Sequence, residues 1–353
     1  MAKAAEKLAA GDSVDHGPIL IWGAGAIGGT VGAHLVRARH AVVFVDVVPE
    51  HVAAIADPAH GLVIEGPVAQ MKVVAPAFTP GAVQGVFRRI FLCVKTHDTQ
   101  AACRQLLPHL APDGYVLSLQ NGLCERVIAE VCGAERSMGA FVNFGADWLE
   151  PGRIFYGNRG AVVVGELDGA TTPRLTALHH LLRDTFEPEA VNSPNIWGYL
   201  WGKLAYSSLL YAQGLAAKGI ADTLARPELL PLVRALCGEV MDVARAEGVA
   251  PLGFNGFDPG AFGTTGSVDA ARASMIAMEA FNRPNAKTHS GIWRDLWVRH
   301  RATPADAQIG AVPPIGRAHG LACPTLTRLI AMIHECERGE RAMSDDNLLE
   351  LMT

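Results

Sequence analysis

The sequence predicts two domains, an α/β domain with a parallel sheet in the N-terminal half and an all-α domain in the C-terminal half. In the first half, short apolar segments alternate with helical patterns, which is typical of βαβ units. After Pro194 the strand signals largely disappear and helical periodicity takes over. We therefore place the domains at residues 17–192 and 193–353, and we interpret residues 1–16 as a loose leader.

The predicted elements of the N-terminal domain alternate in type. In chain order they are a strand at 18–22, a helix at 27–37, a strand at 41–46, a helix from Pro49, two short strands within 61–76, strands at 89–94 and 115–119, and a strand-rich segment at 137–166. The strands are short, apolar and mostly rich in β-branched residues, as buried parallel strands are. A helix at 195–217 opens the second domain.

Composition excludes several classes of protein. The 353 residues are 50% hydrophobic and 18% charged, with a net charge of −5, and no run of Lys and Arg could follow a phosphate backbone. We therefore expect no nucleic acid partner, and no apolar stretch is long enough to cross a membrane. The seven cysteines lack paired spacing, which favours reduced thiols in the cytoplasm. Without clustered Cys or an H-E-x-x-H pattern, we expect no metal site.

A glycine-rich segment directly follows the first predicted strand. Residues 23–28, Gly-Ala-Gly-Ala-Ile-Gly, have the spacing G-x-G-x-x-G and open a predicted helix. The first glycine permits a tight turn, the second allows a pyrophosphate to approach, and the third allows close helix–strand packing. The pattern predicts a Rossmann-type dinucleotide site formed by Gly23, Gly25, Ala26, Ile27 and Gly28. A glycine-rich turn without a ligand is the alternative.

An acidic residue ends the second predicted strand. Asp46 lies eighteen residues beyond Gly28, and no Arg follows it within the next several residues. An acid at this place can accept hydrogen bonds from the adenosine ribose and would repel a 2′-phosphate. The sequence therefore favours NAD over NADP as the cofactor. A strand-end Asp that only starts a turn is the alternative interpretation.

Two more polar residues stand where parallel strands end. Lys95 follows the strand at 89–94, and Asn121 follows the strand at 115–119. Ligands of open parallel sheets bind beyond the carboxyl ends of the strands, so both side chains are candidates for the binding cleft. The alternatives are a lysine that only reaches solvent and an asparagine that only makes a turn.

The chain resembles the ketopantoate reductase (2-dehydropantoate 2-reductase) family over nearly its whole length from Pro18. The matching segments are Gly-Ala-Gly-Ala-Ile-Gly at 23–28, Val94-Lys95, Gln120-Asn121-Gly122, Trp-Gly-Lys-Leu-Ala at 201–205, and Ala-His-Gly-Leu-Ala-Cys-Pro at 318–324. The resemblance implies a Rossmann domain followed by a helical domain. It also implies that Lys203 is the catalytic lysine, and that Lys95 and Asn121 line the nicotinamide and substrate end of the cleft.

The chemistry of Lys203 is plausible on its own terms. It is the sole charge between Asn195 and Ala217. When hydride reaches a ketone carbon, negative charge develops on the oxygen, and an ammonium group can stabilise that charge and supply the proton. The alternative is a lysine on the surface of its helix, without a role in catalysis.

The chain departs from the family where the substrate should be held. Ser207 and Tyr211 replace the family's two Asn, at positions four and eight residues after Lys203 and hence on one helical face. Ser290 is followed by Gly291 where the family has Ser-Ser, and the family's Thr-Glu pair corresponds to Thr303-Pro304. We predict Ser207, Tyr211 and Ser290 as substrate contacts, with a substrate other than ketopantoate. For the segment around Ser290, helix capping together with Trp packing is an equally favoured alternative to substrate contact.

The leading interpretation is an NAD(P)-dependent reductase of a small 2-oxo acid, or the reverse dehydrogenase of a 2-hydroxy acid. A 3-hydroxy acid or polyol-acid dehydrogenase on the same two-domain plan is the second interpretation. The third is a non-catalytic dinucleotide sensor, against which Lys203 argues because a sensor needs no proton donor. A homodimer is one assembly state that the sequence leaves open.

Overall fold

A computed structural model of the chain describes residues 17–352, so the predicted leader lies outside the described residues. The strands are β1 Ile19–Trp22, β2 Val42–Val45, β3 Leu62–Glu65, β4 Met71–Val73, β5 Ala77–Phe78, β6 Phe87–Leu92, β7 Leu110–Ser118, β8 Ser137–Val142, β9 Gly145–Glu150, β10 Arg153–Asn158, β11 Val162–Glu166 and β12 Val191–Asn192. The helices are α1 Ala26–Arg37, α2 Pro49–Ala56, α3 Thr99–Leu106, α4 Cys124–Cys132, α5 Pro173–Thr185, α6 Ile196–Gly214, α7 Ile220–Leu224, α8 Leu230–Ala246, α9 Val268–Asn282, α10 Gly291–Trp297, α11 Val312–Ala318, α12 Pro324–Glu337 and α13 Asp346–Glu350.

An eight-stranded sheet forms the centre of the N-terminal half. Its order is β12-β11-β8-β7-β6-β1-β2-β5, and every neighbouring pair is parallel except β11 with β8. The six strands β5-β2-β1-β6-β7-β8 reproduce the 3-2-1-4-5-6 order of a Rossmann sheet. The predicted fold class is therefore confirmed. The order in which successive strands are added reverses at β1, which has β2 on one side and β6 on the other.

The strand β1 shows why the sheet is buried on both faces. Ile19 and Ile21 belong to one hydrophobic cluster and Leu20 and Trp22 to another, because side chains alternate between the faces of a strand. None of the four is more than 2% exposed. Helices α3 and α4 contribute to the cluster on one face, and α1 and α5 contribute to the cluster on the other.

A second sheet supports the helix that follows the glycine-rich loop. Its order is β4-β3-β10-β9, and it packs against α1. A methyl group on Gly29 would collide with Ile154 of β10, and one on Gly32 would collide with Phe44 of β2. Small residues in α1 therefore let the helix approach both sheets closely.

The C-terminal half is helical, and α6 is its central element. Sixteen of the nineteen residues of α6 are buried, because the helix packs against α8, α10 and α12 and against strands β8 and β11 of the sheet. One hydrophobic cluster joins Phe141 and Val163 of the sheet to Ile196, Leu200 and Trp201 of α6. The first helix of the all-α half therefore lies directly on the sheet.

Several bounds differ from those predicted. The strand expected at 89–94 spans Phe87–Leu92, and the one expected at 115–119 spans Leu110–Ser118. Between β12 and α6 lie residues 193–195, and the domain boundary after residue 192 stays a prediction. Among residues 17–352, the structure contains no helix long and apolar enough to cross a bilayer.

Candidate active site

The glycine-rich loop connects β1 to α1 at the point where the sheet order reverses. Gly23 has φ +99°, and a Cβ there would lie 2.8 Å from the backbone of Cys93 and Val94. A Cβ on Gly28 would collide with the Gly23 carbonyl oxygen, whereas one on Gly25 would meet nothing within 4 Å. The loop is thus closely packed on the protein side and open at Gly25, beside the N-terminus of α1. This cradle fits a pyrophosphate.

Asp46 holds the loop to the end of β2. Its carboxylate accepts a hydrogen bond from the Ala24 amide at 2.9 Å and another from the Val48 amide at 3.1 Å. Each oxygen keeps a free lone pair for a further donor. The side chain is half-buried at the carboxyl edge of the sheet, where a dinucleotide presents its adenosine ribose.

A buried histidine that the sequence did not single out supports the other side of the loop. His51 is fully buried, with Nε2 2.9 Å from the Ala24 carbonyl oxygen and Nδ1 2.8 Å from the Gly152 amide. Because the amide of Gly152 must donate, Nδ1 accepts and Nε2 carries the proton that is donated to Ala24. His51 therefore joins the cofactor loop to the turn between β9 and β10.

The turns after β6 and β7 lie side by side. The Thr96 hydroxyl donates to the Asn121 carbonyl oxygen at 2.9 Å, and the Gln120 amide donates to the Val94 carbonyl oxygen at 2.9 Å. The Asn121 side chain is exposed. Lys95 reaches across to the helical half, where its Nζ lies 3.1 Å from Asp295 of α10. The structure thus brings Lys95 and Asn121 to one edge of the sheet.

Lys203 lies at the same edge. It projects from α6 and is 9% exposed, its Nζ donates to the carbonyl oxygen of Val142 at the end of β8, and it lies 5.3 Å above the centre of the Phe141 ring. Burial lowers the pKa of Lys203 to about 7, against the opposing charge of Glu125. An amine with this pKa can exchange a proton near neutral pH.

Glu125 is a second buried ionisable group near Lys203. It lies on the first turn of α4 and is 1% exposed. Burial raises its pKa to about 8, and its own backbone amide, the Ser118 hydroxyl and the Lys203 charge oppose the shift. Sequence reasoning missed this residue, although Glu125 shares one helical face with the apolar Ile128 and Cys132, at a spacing of i, i+3 and i+7.

Cations outnumber carboxylates between α10 and the second sheet. Asp295 is within 3.1 Å of three cations, and Asp147 is within 3.1 Å of two. The partners of Asp295 are Lys95, Arg299 and Arg301, and those of Asp147 are Lys287 and Arg294. We name these seven residues the cationic cluster. Five cations and two acids give it a net charge of +3 in a chain of net charge −5.

The three predicted substrate contacts have different surroundings. Ser207 is 6% exposed on α6, one turn beyond Lys203. The Tyr211 hydroxyl donates to Gln308 at 3.2 Å, and Gln308 donates to Thr96 at 3.0 Å, which connects the two halves of the chain. Ser290 caps α10, since its oxygen accepts from the Trp293 amide and its hydroxyl donates to Leu210. The helix-cap interpretation of Ser290 is therefore realised, and the three substrate contacts stay predictions.

No group of three or more His, Cys, Asp and Glu side chains is arranged for a metal ion within residues 17–352. The site consists of a glycine-rich loop that opens α1, an acid at the end of β2 and a buried lysine at the carboxyl edge of the sheet. Fold and site together define a two-domain, dinucleotide-dependent oxidoreductase.

Comparison with known proteins agrees with this class. The family model described as ketopantoate reductase PanE/ApbA matches residues 19–169, and the model of its C-terminal part matches residues 195–337. The chain belongs to the ketopantoate reductase family, and it is an NAD(P)-dependent oxidoreductase of that type.

Individual relatives are distant but match over nearly their full length. A 2-dehydropantoate 2-reductase of Archaeoglobus fulgidus is 27% identical, over 91% of this chain and 98% of the relative. The structure of a PanE/ApbA family ketopantoate reductase from Ralstonia eutropha is 26% identical, with a TM-score of 0.75 over 92% of this chain and 99% of the other. A D-mandelate dehydrogenase solved with NADH and anilino(oxo)acetate shares the fold, with 21% identity and a TM-score of 0.80 over 92% of this chain and 99% of the other.

Proposed function

We propose that the protein interconverts a 2-oxo acid and the corresponding 2-hydroxy acid, with Lys203 as the group that gives or takes the proton at the substrate oxygen. The bound nicotinamide would supply the hydride to the carbonyl carbon or accept it from the hydroxyl-bearing carbon. In reduction, the Lys203 ammonium hydrogen-bonds the carbonyl oxygen, stabilises the charge that develops there and transfers its proton. In oxidation, the neutral amine takes the hydroxyl proton.

The position of Lys203 is the observation that carries this proposal. Its Nζ is held at the carboxyl end of β8 by the Val142 carbonyl oxygen, on the sheet edge where Lys95 and Asn121 also lie. Its pKa of about 7 lets it donate and regain a proton without strong acid or base. A surface lysine would have neither the burial nor the lowered pKa.

The cationic cluster supports an acidic substrate. Lys95 is 47% exposed and Arg294 is 32% exposed, so both can reach a ligand while they stay paired with Asp295 and Asp147. A carboxylate in the cleft would be attracted by the excess positive charge, and an Arg can bind it through two parallel hydrogen bonds. We propose that these two cations orient the acid group of the substrate.

The substrate is proposed to differ from ketopantoate. Ser207 and Tyr211 occupy the places of the family's two Asn, and the Tyr211 hydroxyl is already bonded to Gln308. Pro304 has no side-chain acceptor for a substrate hydroxyl. A ketopantoate hydroxyl would lose hydrogen bonds worth about 1 kcal/mol each, and more where a buried group stayed unpaired. Ser207, Tyr211 and Ser290 are proposed to shape a pocket for a less hydroxylated side chain.

NAD is the proposed cofactor, in preference to NADP. Asp46 has lone pairs left for ribose hydroxyls after it accepts from the Ala24 and Val48 amides, and Glu50 adds a second acid in the first turn of α2. Their negative charges would repel a 2′-phosphate. The contacts proposed for the dinucleotide are Gly23, Gly25, Ala26, Ile27, Gly28, Asp46, Lys95 and Asn121.

Broader expectations about location, domain roles and partners stay part of this proposal. We place the enzyme in the cytoplasm, and the seven cysteines, all unpaired, are compatible with a reducing compartment. We assign residues 17–192 to cofactor binding and 193–353 to substrate binding, and we expect no nucleic acid partner. A homodimer is open to test by light scattering.

The experiment is a substrate panel with NADH and with NADPH. Purified protein is mixed with 2-oxo acids that carry alkyl, aryl or hydroxylated side chains, including ketopantoate, and the absorbance of the reduced cofactor is followed. The proposal expects turnover of a 2-oxo acid with NADH, and far poorer turnover of ketopantoate. If ketopantoate is the best substrate, the specificity proposal is wrong, and if no 2-oxo acid or 2-hydroxy acid reacts, the reaction class is wrong.

A further inference from the structure

The buried carboxyl group of Glu125, near Lys203, lacks a well-formed hydrogen bond that would explain its presence. Neither oxygen of Glu125 makes a well-formed hydrogen bond to any residue that the structure describes, although the Ser118 hydroxyl and the Glu125 amide lie close enough to favour its charged form. The Ser118 hydroxyl beside it is fully buried and likewise makes none among the described residues. A carboxyl group left without partners in a dry site is strongly unfavourable as a charge, unless an opposite charge faces it. Glu125 is therefore poorly explained as a structural residue.

The register of the sheet places Glu125 and Lys203 on one face of β8. Ser118 of β7 pairs with Gly139 of β8, and a Cβ on Gly139 would lie 3.5 Å from the Cγ of Glu125. Phe141 lies two residues further along β8, so its ring projects from the same face as that Cβ. Lys203 Nζ lies above this ring. Gly139 and Phe141, the strand positions next to Glu125 and Lys203, are about 7 Å apart along β8.

We propose that Glu125 is a positioning residue that acts through Lys203: the two form a buried acid–base pair in which Glu125 extends to higher pH the range over which Lys203 holds its proton. This inference rests on the proposed role of Lys203 as the proton donor. It adds a residue that contacts neither substrate nor cofactor and yet sets the pH range of the reaction.

The two groups take up and release protons as a pair. Burial lowers the pKa of Lys203 to about 7 and raises that of Glu125 to about 8, and the charge of each opposes the shift of the other. Because the two groups titrate in the same pH range, their protonation states are coupled. When Glu125 loses its proton, the negative charge that results stabilises the ammonium form of Lys203. Without the Glu125 charge, only burial would act on Lys203, and burial favours the neutral amine.

Other titratable groups on the neighbouring helices do not supply the negative charge that Glu125 brings to Lys203. They are Cys124 and Arg126 from α4, Tyr199 and Tyr206 from α6 and Cys237 from α8. Burial raises the pKa of Cys124 and of Tyr206 to about 12. Arg126 is held away by Glu247, at 2.7 Å, and stacks on Trp197 and Trp201. The Cys237 thiol donates to the Ala205 carbonyl oxygen, and burial raises its pKa as well.

The test is the pH profile of kcat/KM for reduction, measured from pH 6 to 9 with the best 2-oxo acid of the panel. The kcat/KM of Glu125→Gln should fall more steeply with rising pH than that of the unmodified protein. We expect the ratio of kcat/KM at pH 6 to kcat/KM at pH 8.5 to be about three- to tenfold larger in the variant. Glu125→Asp keeps the charge and should recover part of the original profile. Glu130→Gln, an exposed position of the same helix, is the matched control and should leave the profile unchanged.

A second measurement does not depend on turnover. Lysine labelled with ¹³C at Cε reports the ionisation of Lys203 by NMR, and Lys203→Arg assigns the signal. Glu125→Gln should move the midpoint of that titration to lower pH by about one unit. An unchanged midpoint and an unchanged kinetic profile in Glu125→Gln would overturn the inference. If Lys203→Ala retains full activity, the proposed function itself fails, whatever the midpoint.

Discussion

Glu125 and Asp295 are both 1% exposed, yet the pKa of Glu125 is raised and that of Asp295 is lowered. Glu125 makes no well-formed hydrogen bond among the described residues, and burial raises its pKa to about 8. Burial also acts to raise the pKa of Asp295, but the charges of Lys95 and Arg301 and the hydrogen bonds from Lys95 and Arg299 outweigh it, and the pKa lies below its ordinary value. Burial alone therefore does not decide whether a carboxyl group ionises; its partners do.

The difference separates two functions within one cleft. The Glu125–Lys203 pair holds protons weakly near neutral pH, as a proton-transfer site requires. The cationic cluster holds the pKa of Asp295 below its ordinary value and joins Lys95 of the sheet domain to α10 of the helical half. We expect changes in the first region to alter the rate and its pH dependence, and changes in the second to alter stability and acid binding.

The largest expected effect concerns Lys203. Lys203→Ala should reduce kcat by about 10²–10⁴-fold, the usual contribution of a general acid. It should leave NADH affinity nearly intact, because the proposed dinucleotide contacts are the loop at 23–28 and Asp46. Steady-state rates and NADH fluorescence titration measure the two quantities. Lys218→Ala is the control, since Lys218 is 52% exposed and pairs with Asp345. Near-normal kcat in Lys203→Ala would remove this residue from the mechanism.

A smaller effect is expected on the other side of the comparison. Asp295→Asn leaves Lys95, Arg299 and Arg301 without their shared counter-charge and should lower the free energy of unfolding by about 2–3 kcal/mol. Glu125→Gln removes no hydrogen bond and should cost less than half as much. Urea denaturation at pH 7.5 measures both.

The pH dependence of stability sharpens the same prediction. Because the pKa of Asp295 is lowered on folding, its contribution is present above the ordinary pKa of an aspartate and is lost as the pH falls through the folded value. The difference between the unmodified protein and Asp295→Asn should therefore shrink in acid. If Glu125→Gln proves the more destabilising change at neutral pH, the assignment of roles to the two regions is wrong.

The smallest effect is expected at Asp46, a third carboxylate whose partners are backbone amides. Asp46→Ala should narrow the preference for NADH over NADPH by about tenfold, the equivalent of about 1.4 kcal/mol of lost hydrogen bonding. Calorimetric titration of the unmodified protein and the variant with both cofactors measures this. Asp57→Ala, which also removes an acid that bonds a nearby amide but lies away from the loop, is the control. A clear preference of the unmodified protein for NADPH would contradict the prediction.

Local pattern was enough to predict the elements of the cleft. Polar residues follow the apolar runs that form most of β2, β6 and β7, so Asp46, Lys95 and Asn121 were located by their position near strand ends. The glycine-rich loop was found because its spacing follows a strand and opens a helix. The exact ends of β6 and β7 were missed by a few residues, because strand ends depend on which neighbour the backbone bonds.

The sequence by itself determined the fold class and the glycine-rich loop, because these depend on periodicity and spacing within single segments, and the family resemblance singled out Lys203. Only the tertiary structure decided which charges meet. Glu125 and Lys203 are far apart in sequence and come together through the pairing of β7 with β8 and the packing of α6 on the sheet. Lys95 and Asp295 are 200 residues apart and form an ion pair across the cleft. Ionisation depends on burial and on the distance to other charges, and both of these exist only once the chain has folded.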